Sequence, residues 1–225
     1  MSESIFFFRL FDNTLYFVIW SFWVIFSICF HEMSHAYVAY KFGDNTAADA
    51  GHLTMNPLRQ MGIQSLISFL LLGIAWGQVP VNPQRLTPRY KAVLVSLAGP
   101  FSNLAIFFFC CIAPNLIIAA MFYAKTPEIY YKMVGQFFLY GGCVNMILFI
   151  INMLPLPGLD GWHLVAPLFD TVKILKSELV TAVGFGLFLL IFFYFEYIYA
   201  AAVICVQYGT LFFARLLENI LMLFQ

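Results

Sequence analysis

Apolar positions in this chain fall in long unbroken runs. They show neither the alternation of a surface strand nor the one-sided stripe of a soluble helix. Residues 15–30 read LYFVIWSFWVIFSICF, with only Ser21 and Ser27 to interrupt them. The helix they predict extends to about Phe42, where Gly43-Asp44-Asn45 ends it. Three more runs, 93–123, 134–154 and 180–206, reach the roughly 20 residues that a bilayer crossing takes. The run 93–123 carries Gly99-Pro100 early and Pro114 later, the latter predicting a kink or a stop. Two shorter apolar segments remain. Residues 63–76 could form a short span, a re-entrant element or an interfacial helix. Residues 208–225 could form an amphipathic tail or a last short span.

Between the runs lie polar intervals at 44–60, 78–89, 124–132 and 171–178. Asn56-Pro57 breaks any helix in the first, and three prolines keep the second from being a helix interior. Residues 152–161, NMLPLPGLDG, are different: Pro155, Pro157, Gly158 and Gly161 interrupt an apolar run that also carries an aspartate. Irregular backbone at membrane depth is tolerated only where protein buries it or where it lines a wet cavity. This broken segment therefore points to a functional site, with a short helix predicted after it over 162–169.

Composition supports the pattern. Of 225 residues 63% are apolar and only 10% charged, against about 25% charged in soluble domains. The fold class is an all-α integral membrane protein, a polytopic helical bundle of about five to six transmembrane segments with a break at the LDG motif. The chain reads as one domain, 1–225, with a catalytic core over about 15–165 and C-terminal helices over about 178–225. The N-terminal MSESIFFFRLFDN has no basic stretch and no small-residue cleavage site, so the first helix reads as an uncleaved span. A net charge of zero gives no ground for a nucleic-acid partner. Lys and Arg are spread over nearly every loop and set no orientation. Cys29, Cys110, Cys111, Cys143 and Cys205 all sit inside apolar runs, without a C-x-x-C pair, and read as small buried hydrophobes.

The chemistry starts at His31-Glu32-Met33-Ser34-His35, in the second half of the first span. Residues four apart share a helix face, so His31 and His35 can reach one metal ion, and Glu32 beside them can hold and deprotonate a water. Ionisable groups in such a segment default to function, since a central charge costs on the order of 3 kcal/mol. Hydrolytic zinc takes three protein ligands and keeps a position for water. The candidates for the third are His52, Asp160, His163, Glu196 and Asp170. Asp160 stands out because the broken backbone around it can aim a side chain inward. The other reading of Asp160 is a cap for the helix that follows.

Five segments occur in order: HEMSHAYVAYKFGDNTA, GHLTMNPL, VPVNP, SLAGPFSNL and NMLPLPGLDG. Together they resemble the successive signatures of the site-2 protease family of intramembrane metalloproteases, in its compact branch without PDZ or CBS domains. The resemblance covers about residues 20–165. It implies an intramembrane zinc endopeptidase that cuts a transmembrane protein substrate within the bilayer of a prokaryotic inner membrane. It assigns His31, His35 and Asp160 to one Zn2+ per chain, Glu32 to general-base catalysis, and Asn103 of the G-P-x-x-N motif to catalysis near the substrate. Asn152 is a second candidate to hydrogen-bond the substrate carbonyl, and for both asparagines a plain helix-bridging role is the alternative. One departure is that His52 stands where the branch often has arginine.

The remaining polar residues read as supporting. His52 is a loop-bracing histidine, His163 an interfacial residue that could orient Asp160, and Ser34 a donor to its own helix backbone. Residues 79–82, VPVN, form a short extended run that could border the path of an unwound substrate. Two rival functions fit less well. A metal transporter has no need of Glu32 or of the broken aspartate element. An inactive relative would have lost a ligand or Glu32, and all are present.

Overall fold

The computed structural model describes residues 13–165, 186, 190, 191 and 193–222. In chain order the helices are α1 Thr14–Lys41, α2 Thr46–Asp49, α3 Pro57–Gln60, α4 Gly62–Leu72, α5 Tyr90–Tyr123, α6 Glu128–Met153, α7 Trp162–Val165 and α8 Phe195–Met222. Among the described residues there is no strand. Among the described residues four helices, α1, α5, α6 and α8, are long and apolar enough to cross a membrane.

Local chemistry sets the ends of these elements. Asn13 caps α1 by accepting from the Tyr16 amide at 3.0 Å. Asn56 does the same for Leu58 at 2.9 Å, with Pro57 at the first helical position of α3. Gly73 stops α4 in the left-handed region, φ 76°. At 11 residues α4 is roughly 16 Å long, about half the hydrocarbon thickness, so it does not cross as a straight span.

Helix α5 is the centre of the bundle, packing most extensively on α6 and next on α1. It starts three residues before the sequence reading placed it and runs through both Pro100 and Pro114. Pro114 is not a stop. Polar side chains can re-satisfy backbone freed by an intramembrane proline. Here the Asn115 amide donates to Cys111 O at 3.0 Å and to Thr210 O of α8 at 3.1 Å, tying the two helices together. Close helix approach at α6 depends on two glycines, as membrane interfaces favour small residues. A Cβ on Gly141 would stand 2.3 Å from the Trp23 ring, and one on Gly142 would stand 2.7 Å from Val206.

The C-terminal region corrects the sequence reading. Residues 206–208 do not end a helix: α8 is continuous from Phe195 to Met222, and the supposed tail is its second half. Glu196 lies in its first turn. Gly209, the weakest helix former there, packs against Cys111, 2.8 Å from a built Cβ, so tertiary contact overrides its low propensity. Asp170, the polar interval 171–178 and the start of the span expected at 180 lie outside the described residues.

The loops between α1 and α5 are pinned to the bundle. Asp44, fully buried, accepts from Thr46 N at 3.1 Å, Thr46 Oγ1 at 2.5 Å and Asn82 N at 2.7 Å. Buried Gln60 donates to His52 O at 2.7 Å and Thr54 O at 2.6 Å, while its own carbonyl accepts from Gln78 N at 3.0 Å. Ser65 both donates to Trp76 O and accepts from Trp76 N. The segment 75–81 is thereby held as one wall of a cavity.

Candidate metal centre

His31 and His35 are successive turns of one helix and present both Nε2 atoms to the same point, 3.0 Å apart. Asp160 Oδ2 approaches that point at 3.0 Å from His31 Nε2 and 3.2 Å from His35 Nε2. Asp160 reaches it because the chain folds back at the end of α6. Leu154 turns extended, Gly158 takes φ +92°, and Gly161 N donates to Asn152 O at 2.7 Å. Gly161 cannot be larger, since a Cβ there would stand 2.4 Å from Met153 O.

The outer nitrogens decide what the inner ones can do. His31 Nδ1 lies 2.6 Å from Asn103 Oδ1, and His35 Nδ1 lies 2.7 Å from Val95 O. Both partners only accept, so both Nδ1 atoms carry hydrogen. The two Nε2 atoms then turn lone pairs toward each other and toward a carboxylate. Three acceptors facing one point in a buried place repel unless a cation joins them. The donor set of two imidazoles and one carboxylate is the one hydrolytic zinc uses. Gly99 of α5 faces the same point: a Cβ there would stand 2.3 Å from His35 Nε2 and 2.5 Å from His31 Nε2. The space an ion requires is kept clear by the absence of that one carbon. Among the described residues, His31, His35 and Asp160 form a group able to hold a metal.

The group opens onto a cavity of about 560 Å³, walled by α1, α5, the end of α6 and the segment 75–81. Glu32 lies on its wall, beneath Gly77, where a Cβ would stand 2.4 Å from Glu32 Cγ. Both histidines are under 10% exposed, and Asp160 is 19% exposed on the cavity side.

The other residues singled out from sequence fall as follows. Asn103 does not line the cavity. It is fully buried behind His31, donating to Asn145 Oδ1 at 2.9 Å and Ser27 O at 3.4 Å. Both of its amide hydrogens are taken by protein acceptors, and it meets the site through His31. Asn152 does line the cavity, with its amide donating to Leu148 O at 3.0 Å. His163 is exposed on the cavity wall, and its backbone N–H, not its ring, meets Asp160. His52 braces its loop, with Nδ1 at 3.4 Å from Gln60 Oε1. Ser34 donates to Phe30 O at 2.7 Å, as its place in a helix predicts. Glu196, on α8, is not among the cavity-lining residues.

Sequence reasoning missed Ser27 and Asn145. Both are fully buried, and Asn145 Nδ2 donates to Ser27 Oγ at 2.9 Å and to Gly141 O at 2.8 Å. The signal was there: Ser27 is one turn before His31, and Asn145 is an amide amid an apolar stretch of its helix.

The sequence pattern of peptidase family M50 matches residues 19–193. "Putative zinc metalloprotease YwhC" of Bacillus subtilis is 37% identical over 174 residues, covering 75% of this chain and 77% of that protein. "Putative zinc metalloprotease Rip2" of Mycolicibacterium smegmatis is 34% identical over 149 residues, 63% of this chain and 53% of that protein. The protein of the same name in Mycobacterium tuberculosis is 33% identical over 152 residues, 64% of this chain. The chain thus spans about half the length of the mycobacterial relatives, 53% and 54%. No solved structure matches the chain.

Proposed function

The chain belongs to peptidase family M50, the site-2 protease family of membrane zinc metalloproteases, and on that premise we propose that it hydrolyses a peptide bond in or beside a transmembrane segment of another protein, with Glu32 as general base. The observation that carries this reading is the meeting of His31, His35 and Asp160 beside Glu32 in a cavity walled by membrane-spanning helices. Zinc held by those three side chains supplies a Lewis acid that brings the pKa of water toward about 7 and polarises a carbonyl.

The chain's own residues do the rest. Glu32 accepts the proton of the attacking water and returns it to the leaving amine. Glycine at position 77 leaves the Glu32 side chain room that a Cβ there would take, 2.4 Å from Glu32 Cγ. An Asn amide carries two hydrogens, so Asn152, having given one to Leu148 O, keeps a second for the developing oxyanion.

A helix with every N–H paired cannot be cut, so the substrate must be taken extended. Supporting this, the amides of Trp76, Gln78 and Asn82 are tied back to the protein, and position 80 is proline. Ala75, Trp76, Gly77, Val79 and Val81 line the cavity. The amides of residues 77, 79 and 81 are the ones left for an added substrate strand, the mode in which an extended peptide pairs with an exposed backbone edge. The test is Glu32→Gln in the purified full chain. Retained zinc with cleavage of a model membrane substrate abolished supports the reading, and unchanged cleavage overturns it. Cross-links from Val79 or Val81 should reach bound substrate.

A further inference from the structure

Behind His31 runs a chain of buried amides with a fixed direction. Gly141 O is a carbonyl and can only accept, so the Asn145 group facing it at 2.8 Å is Nδ2. Asn145 Oδ1 must then face Asn103, whose Nδ2 donates to it at 2.9 Å. A second carbonyl, Ser27 O, lies on the same side of Asn103 at 3.4 Å and demands the same orientation. Asn103 Oδ1 is left for His31 Nδ1, at 2.6 Å. Ser27 Oγ accepts from Asn145 but, as a hydroxyl, sets no direction. Both asparagines are fully buried, so no water substitutes for a lost partner without rearrangement. Turning either amide over would put oxygen against oxygen.

We infer that Asn145 is a positioning residue of the metal site: it fixes the amide orientation of Asn103, and through it keeps the hydrogen of His31 on Nδ1 and the lone pair on Nε2. The main-chain carbonyl of Gly141, in α6, thereby selects the tautomer of a side chain in α1 through two intervening amides. An asparagine that merely bridges helices would contribute to stability and leave histidine tautomers alone. Partners of this kind behind a metal ligand typically carry 10- to 100-fold in metal affinity.

The inference rests on the metal-site reading, and the experiment separates the two. Zinc affinity of the full chain in detergent is measured by competition with a chromophoric chelator for the parent protein, Asn145→Leu, Asn103→Leu and the double variant. The expected result is a roughly 10- to 100-fold weaker affinity in Asn145→Leu and no further loss when it is added to Asn103→Leu. Unchanged affinity in Asn145→Leu, or losses that add, overturns the inference while the metal site stands. A parent protein that takes up no zinc overturns the metal reading and the inference with it. Should Asn145→Leu fail to fold, the 15N spectrum of histidine-labelled parent protein stripped of metal decides. A hydrogen on His31 Nδ1 supports the inference, and a bare Nδ1 overturns it.

Discussion

Gly99 and His35 stand so close that a Cβ on the glycine would lie 2.3 Å from the ring Nε2. The same carbon would lie 2.5 Å from His31 Nε2, in the space on which the three ligands converge. Neither ring can swing aside freely, because each is held from behind through Nδ1. We predict that Gly99→Ala lowers zinc affinity at least as far as loss of a supporting hydrogen bond does, about 100-fold. Helix α5 remains intact, since alanine is the better helix former. Metal content and helical circular dichroism, measured together, check both halves of the prediction.

Asp160→Asn replaces an anionic ligand with a neutral amide at nearly constant volume. The two imidazoles then lack the carboxylate that approaches each within 3.2 Å. Zinc occupancy after dialysis against a mild chelator should fall by about 100-fold or more. Normal zinc content in this variant would move the third ligand elsewhere.

Gly77 bears on chemistry without bearing on the metal. A Cβ at position 77 would meet Glu32 Cγ at 2.4 Å and Glu32 Oε1 at 2.5 Å. Gly77→Ala must displace either the carboxylate or the segment that covers it. The expected outcome is full zinc content with turnover reduced by about 100-fold, the low end of what a positioned base contributes. Loss of zinc in step with activity would show that the glycine acts on the fold instead.

What sequence disclosed and what it hid follow from the range of the interactions. The helix face shared by His31 and His35, the backbone break before Asp160 and the spans themselves are local and were legible. For Asn103 the motif names the residue type, not its direction. Its direction is set by Asn145 and Ser27, 42 and 76 residues away in the chain. The continuity of α5 through Pro114 and of α8 past residue 208 was hidden for the same reason. Contacts such as Asn115 with Thr210 and Gly209 with Cys111 outweigh the local breaking signal. The 11-residue length of α4 turned on one glycine in the left-handed region at position 73.

Asp44 offers a pH test outside the membrane-spanning helices. Burial alone would push its carboxyl up, but donors from Thr46 and Asn82 and the nearby Arg85 hold it below the usual carboxylate range. A carboxylate whose pKa is lowered by folding stabilises the fold above its unfolded value, near 3.9, and loses that contribution as pH falls through the folded value. In Asp44→Asn the amide hydrogens face Asn82 N, which stands 2.7 Å from Oδ2 in the parent, so a buried donor meets a donor. At pH 7 the variant should be less stable by about 1–3 kcal/mol. Because Asn82 ends the segment that walls the cavity, activity should fall while zinc content holds. As pH drops below the carboxylate range the parent loses its advantage and the two stabilities converge. Thermal unfolding in detergent from pH 7 down to about pH 2 measures this, and a gap that stays constant below pH 4 would show that the Asp44 charge does not hold the loop.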